Sequence, residues 1–152
     1  VLFAAASQIG VTERPSGSNR VKYNTAYYGR EVSGKAYPWC VTYLWWVFRQ
    51  AGMTLYKTAS CTAFLNRYQE TAPTQVLQGN YRPGDIVLFD FTGKRAKTVH
   101  AGIVESVGAD GTITTIEGNT GTSSDANGGA VMRRTRKPSL VTRGIRPVYQ
   151  KT

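Results

Sequence analysis

Histidine occurs once in this chain and cysteine twice, acidic residues are few, and no apolar run approaches the roughly 20 residues that a membrane span requires. Two cysteines, Cys40 and Cys61, allow at most one bridge. Neither sits in a CxxC or Cys/His metal spacing, so neither a disulfide framework nor a structural zinc site is indicated. No internal repeat, linker or low-complexity tract breaks the chain. The first residue is Val1, with no initiator Met and no basic stretch leading to a cleavage site. We therefore expect a piece excised from a larger protein. What is present is ordinary for one soluble domain spanning residues 1–152: 41% apolar and 18% charged residues, enough to bury a core without staples.

Charge is one-sided. Nineteen Lys and Arg face nine Asp and Glu, giving a net charge of +10 and a pI near 9.9. The excess is steepest over residues 131–152, where Arg133, Arg134, Arg136, Lys137, Arg143, Arg146 and Lys151 meet no acid in the sequence. A single basic edge is expected. Nucleic acid, an anionic bacterial wall and a plain solubilising surface would each fit such an edge, and the wall is preferred.

Residues 1–9 are good helix formers ended by Gly10, and the Gly-, Ser-, Asn- and Tyr-rich stretch to about Ala36 reads as a long loop of the kind that carries function. Pro38 suits a first helical position and Gly52 a C-terminal stop, which frames a helix over 38–51 with Cys40 in its first turn. Val41, Leu44, Trp45 and Phe48 give it an apolar stripe at helical spacing. A second helix fits 60–70, capped by Ser60 or Thr58, with Cys61, Phe64, Leu65 and Tyr68 toward the core. After Pro83-Gly84-Asp85 the pattern becomes β. Strands are expected over 86–91, 99–107, 112–118 and 130–134, with 145–149 closing the sheet. Helices first and an antiparallel sheet after define an α+β fold.

A thiolate is favoured where the backbone N–H groups of a helix N-terminus meet the sulfur, so Cys40 is the candidate nucleophile. Cys61, on a core stripe without a base beside it, reads as a small buried hydrophobe. His100, the only histidine, opens the strand Val99-His100-Ala101-Gly102-Ile103-Val104. The next strand ends in Ile116-Glu117-Gly118-Asn119, and alternation puts Glu117 and Asn119 on one face. A hairpin loop of two residues or of four, around Asp110-Gly111, brings His100 onto that face within reach of both; a loop of three would reverse it.

These motifs resemble the CHAP domains, the cysteine, histidine-dependent amidohydrolases/peptidases that cut peptidoglycan. The resemblance rests on Tyr37-Pro38-Trp39-Cys40 entering an aromatic helix, Arg82-Pro83-Gly84-Asp85-Ile86-Val87 opening the sheet, and the His100 and Glu117-Gly118-Asn119 strands. It implies a papain-like arrangement of N-terminal helices packed on an antiparallel sheet. It also implies Cys40 as nucleophile, His100 as base, and Glu117 and Asn119 as supports. The NlpC/P60 hydrolases share the layout, but the Glu-Gly-Asn signature favours CHAP. Many phage lytic CHAP domains bind calcium through an Asp-rich loop ahead of the nucleophile. Here the only acid from Val21 to Trp39 is Glu31, so neither a metal nor another cofactor is expected.

The expected reaction is cleavage of a peptidoglycan amide, either the lactyl–L-alanine bond (amidase) or a bond in the stem or cross-bridge peptide (endopeptidase). It would take place at the bacterial cell wall, outside the cell or delivered by a phage from within. Glycan bonds call for paired carboxylic acids instead. The expected partners are peptidoglycan and anionic wall polymers, with no nucleic acid and no membrane insertion, and the chain is expected to be a monomer. A wall-binding module that keeps the fold without turnover is the rival from another class.

Overall fold

In a computed structural model that describes residues 1–149, four helices pack on a six-stranded sheet. The helices are α1 (Leu2–Ser7), α2 (Lys22–Tyr28), α3 (Cys40–Gln50) and α4 (Cys61–Thr71). The strands are β1 (Val76–Leu77), β2 (Ile86–Phe89), β3 (His100–Val107), β4 (Ile113–Thr120), β5 (Ala130–Arg136) and β6 (Val141–Ile145). They lie in the order β1-β6-β2-β3-β4-β5, each neighbour antiparallel. This is the α+β architecture expected.

Helix α3 is the spine. Val41, Tyr43, Leu44, Val47 and Phe48 are buried, and they share a core with Ile86, Leu88, Ala101, Ile103 and Ile116 of the sheet. The alternate residues Val87, Phe89, Val104, Ile113 and Val141 form a second apolar cluster, so the central strands are buried on both faces. The helix begins two residues later than Pro38 suggests. Its first ladder bond runs from the Tyr43 N–H to the Trp39 carbonyl, while the Tyr37 carbonyl is occupied by the Asn24 side-chain amide. Cys40 therefore opens the helix rather than following its first residues.

Two elements differ from expectation. The supposed loop before Ala36 contains α2, a short helix stopped by Gly29 in the left-handed region (φ 74°). Packing rather than propensity forms it: Tyr23 stacks on Trp39 and meets Tyr43 and Trp46 edge-on. Asn24 is buried, bonding Asn19, Tyr37 and Thr42. The closing strand is Val141–Ile145, not 145–149. Its Gly144 leaves the space that the Tyr81 ring fills, since a Cβ there would stand 2.6 Å from that ring.

Four of the seven cations of the expected basic edge are paired with acids. Arg133 pairs with Glu105, Arg134 with Asp125, Arg136 with Glu117 and Asp125, and Arg146 with Asp85. The sheet and the loop after β4 bring acids that are distant in sequence beside these arginines. Lys151 lies outside the described residues.

Candidate active site

The β3–β4 hairpin turns through three residues: Gly108 donates to the Thr112 carbonyl at 2.8 Å, and Val107 faces Ile113. That loop length alone would put His100 on the wrong face. A bulge at Glu105 adds one residue to β3, so that Val104 faces Thr115 and Ile103 faces Ile116, restoring the parity. Gly102 then lies across from Glu117, and a Cβ on it would stand 2.7 Å from Glu117 Cγ. The missing side chain lets the carboxylate cross β3 and reach the imidazole.

His100 Nε2 and Glu117 Oε1 are 2.8 Å apart, with both side chains buried. Phe89 and Phe91 flank the ring at centroid distances of 6.0 and 5.9 Å. His100 Nδ1 has no hydrogen-bond partner among the described residues that meets ordinary geometry, which leaves it for the neighbouring Cys40. Burial pulls the imidazole toward neutrality, but hydrogen bonding and charge from Cys40 and Glu117 outweigh it and hold the His100 pKa at about 9. Burial pushes Glu117 up, yet Arg136 and His100 together bring it down to about 2.

Cys40 is 5% exposed at the first position of α3. Hydrogen bonding from Cys61, and then the charge of His100, hold its thiol well below the usual range despite burial. Both shifts favour the thiolate and imidazolium forms of the pair. The two sulfurs are 3.7 Å apart and neither is in a disulfide. Cys61 is pushed well above its usual value by the neighbouring Cys40 and by burial. Cys61 is buried in the main core cluster, as expected, and its contact with the Cys40 sulfur is the added finding. It opens α4 beside Cys40, where its sulfur faces a second sulfur as well as apolar side chains.

Asn119 is buried but does not reach the imidazole. It adopts φ 59° at the irregularity between Glu117 and Thr120, and its Oδ1 accepts from the Gly129 N–H at 3.1 Å. Its Nδ2 is without a partner among the described residues. Alternation along β4 breaks at this bulge, which is why the expected shared face ends at Glu117. Arg136 was also missed, because the strand was expected to end at Arg134 and its charge was assigned to the surface. Thr115 donates its hydroxyl to Glu117 Oε2, so both carboxylate oxygens are occupied.

Cys40 and Cys61 line an open cleft of about 520 Å³ whose other walls include Pro38, Thr58, Ser60 and Thr98. No carboxylate among the described residues lines it. Among the described residues no group of three or more His, Cys, Asp or Glu side chains is placed to hold a metal ion. Tyr27 and Tyr37 each pack edge-on against Tyr28, with Tyr27 also against Trp45.

The CHAP domain family matches residues 32–119, more than half of the chain and the stretch that carries Cys40, His100, Glu117 and Asn119. The chain belongs to this family. The crystal structure of Ly7917 is similar, with a TM-score of 0.53 and 19% identity over 96% of this chain; at that identity it speaks for the fold, which is papain-like. The chain spans 60% of the length of that structure. No curated protein matches. CHAP domains are hydrolases of the amidase and peptidase type, associated with peptidoglycan.

Proposed function

We propose that this domain hydrolyses an amide bond of peptidoglycan, with Cys40 as the nucleophile and His100 as its acid–base partner. One observation carries the reading. A buried imidazole bound to Glu117 through Nε2 leaves Nδ1 beside a thiol that is held low and opens onto a cleft. The Cys40 thiolate attacks the carbonyl carbon, and the N–H groups that open α3 face the oxygen where charge develops. The His100 imidazolium then gives its Nδ1 proton to the departing amine, leaving a thioester on Cys40. Neutral His100 next takes a proton from water, which hydrolyses the thioester and restores the thiolate. Glu117 orients the ring and balances its charge throughout.

The absence of a carboxylate among the described residues of the cleft supports an amide rather than a glycosidic bond, since glycan cleavage needs a pair of acids flanking it. The net charge of +10 suits an anionic wall, through cations spread over the surface. Incubating purified peptidoglycan with the parent and with Cys40→Ser, then identifying new ends by mass spectrometry, tests the reading. New amino termini from the parent and none from the variant are expected, and the terminus found separates amidase from endopeptidase. A folded protein that binds walls and releases no new ends would instead be a binding module.

A further inference from the structure

Arg136 is the one buried guanidinium that meets the site. It is 5% exposed at the end of β5 and grips Glu117 with two bonds, Nε to Oε2 at 2.9 Å and Nη2 to Oε1 at 2.7 Å. Oε1 is the same oxygen that His100 Nε2 holds at 2.8 Å. The guanidinium also lies over Phe91 and Phe89, at 4.8 and 5.5 Å, the two rings that flank the imidazole. On its outer side, Nη1 meets Asp125 at 2.7 Å, in the loop between β4 and β5.

We propose that Arg136 is a positioning residue for the proton transfer, balancing the charge and fixing the orientation of Glu117 in both protonation states of His100. The proposal rests on the Cys40–His100 reading. When His100 hands its proton to the leaving amine, the buried Glu117 carboxylate loses its cationic neighbour. Without Arg136 that carboxylate would be left uncompensated, and an uncompensated buried charge is costly. The imidazolium would then hold its proton too tightly to act as an acid. Arg136 makes the neutral imidazole attainable while the carboxylate stays ionised. The charged and titratable groups around the ring are few: Cys40 from α3, with Cys61 of α4 behind it, Glu117 from β4, and Arg136 and Asp125 beyond Glu117. Apolar Phe89 and Phe91 close the remaining side.

Because the chain has one histidine, its imidazole resonances can be titrated by NMR without ambiguity and without turnover. Arg136→Gln is expected to raise the His100 titration by about one unit or more. Arg136→Lys should fall between, and Asp125→Asn should lower it by a few tenths, because Arg136 is then less neutralised. The alkaline limb of the pH–rate profile should move the same way, with a lower rate on amides at neutral pH. Asp125 is 44% exposed, so its variant tests the sign even if Arg136→Gln does not fold. An unmoved or lowered titration in folded Arg136 variants, or a raised one in Asp125→Asn, overturns the proposal. If the titrations move as expected and wall cleavage is absent, only the functional reading fails.

A separate observation concerns the thiols. Cys40 and Cys61 stand 3.7 Å apart on the wall of one cleft, and a bond would require their sulfurs to close by roughly 1.7 Å. We infer that Cys61 is a resolving thiol for oxidation of Cys40 by peroxide. The Cys40 thiolate attacks one peroxide oxygen, the O–O bond breaks, and hydroxide leaves, giving a sulfenic acid. Cys61 sulfur then attacks the Cys40 sulfur, its proton leaving with the hydroxyl as water, to give a disulfide. Limited hydrogen peroxide should lower the mass of the intact protein by about 2 Da and block both thiols to alkylation, reversibly with dithiothreitol. Cys61→Ser should instead gain oxygen at Cys40. A parent protein that accumulates sulfinic acid at Cys40 while Cys61 stays alkylatable overturns it.

Discussion

Replacing Glu117 by Gln keeps the shape of the side chain and removes its charge. The bond from His100 to the carboxylate is charge-assisted, and such bonds contribute about 1.5–3 kcal/mol, or about one to two pH units on the partner. The imidazole pKa, held at about 9, should therefore fall by that amount, toward 7 to 8. The sign follows from which form is stabilised: Glu117 favours the imidazolium, so its loss lowers the alkaline limb of the pH–rate profile. The rate at neutral pH should fall about ten- to a hundredfold, as orientation of the acid is lost. Arg136 keeps Asp125 but loses its carboxylate grip, at a cost of roughly 2 kcal/mol, which at this chain length lowers the Tm by about 4–8 °C. The assay is hydrolysis from pH 5 to pH 10 beside NMR titration of the single histidine. Unchanged limb and titration in a folded variant would refute the pairing on which the site depends. Arg136→Gln should move the same limb the opposite way.

Asn119→Ala should lower the rate without shifting the pH profile, because Asn119 holds the Gly129 N–H and not the imidazole, and it should cost about 1–2 kcal/mol at φ 59°; a moved His100 titration would contradict this. Cys61→Ala should push the acid limb upward by removing the donor to the Cys40 thiolate, and Cys61→Ser, which keeps an O–H, should move it less; equal profiles in all three proteins would show that Cys61 does not reach Cys40 in solution. Chelators should leave activity and Tm unchanged, and a loss restored by calcium would reveal a site built from carbonyl oxygens.

Much of the site was legible because strand alternation and helix caps are local. Cys40 at a helix start, His100 at a strand start and Glu117 on the facing strand follow from spacing of two and of 3.6 residues. The hairpin argument reached the right partner by way of two compensating features, a three-residue loop and the bulge at Glu105, neither visible as such in the sequence. Asn119 was displaced by a second bulge. Arg136 and the sulfur contact of Cys61 were missed for a different reason. Their partners, Glu117 and Cys40, are 19 and 21 residues away, and only the packed sheet and the meeting of two helix ends bring them together. The four paired arginines of the supposed basic edge fail in the same way, since charge counted along a chain says nothing of the acids folded against it.

Trapping the acyl intermediate tests the central claim most directly. The protein is mixed with soluble peptidoglycan fragments, quenched in acid within the first turnover, digested, and analysed by mass spectrometry. The account predicts a thioester adduct on the peptide that contains Cys40, with the mass of the acyl half of the cleaved amide, absent in Cys40→Ala and strongly reduced when His100 is replaced, because the amine then leaves without its acid. Cleavage that proceeds in Cys40→Ala, or that yields new reducing sugar ends in place of amino termini, would contradict it.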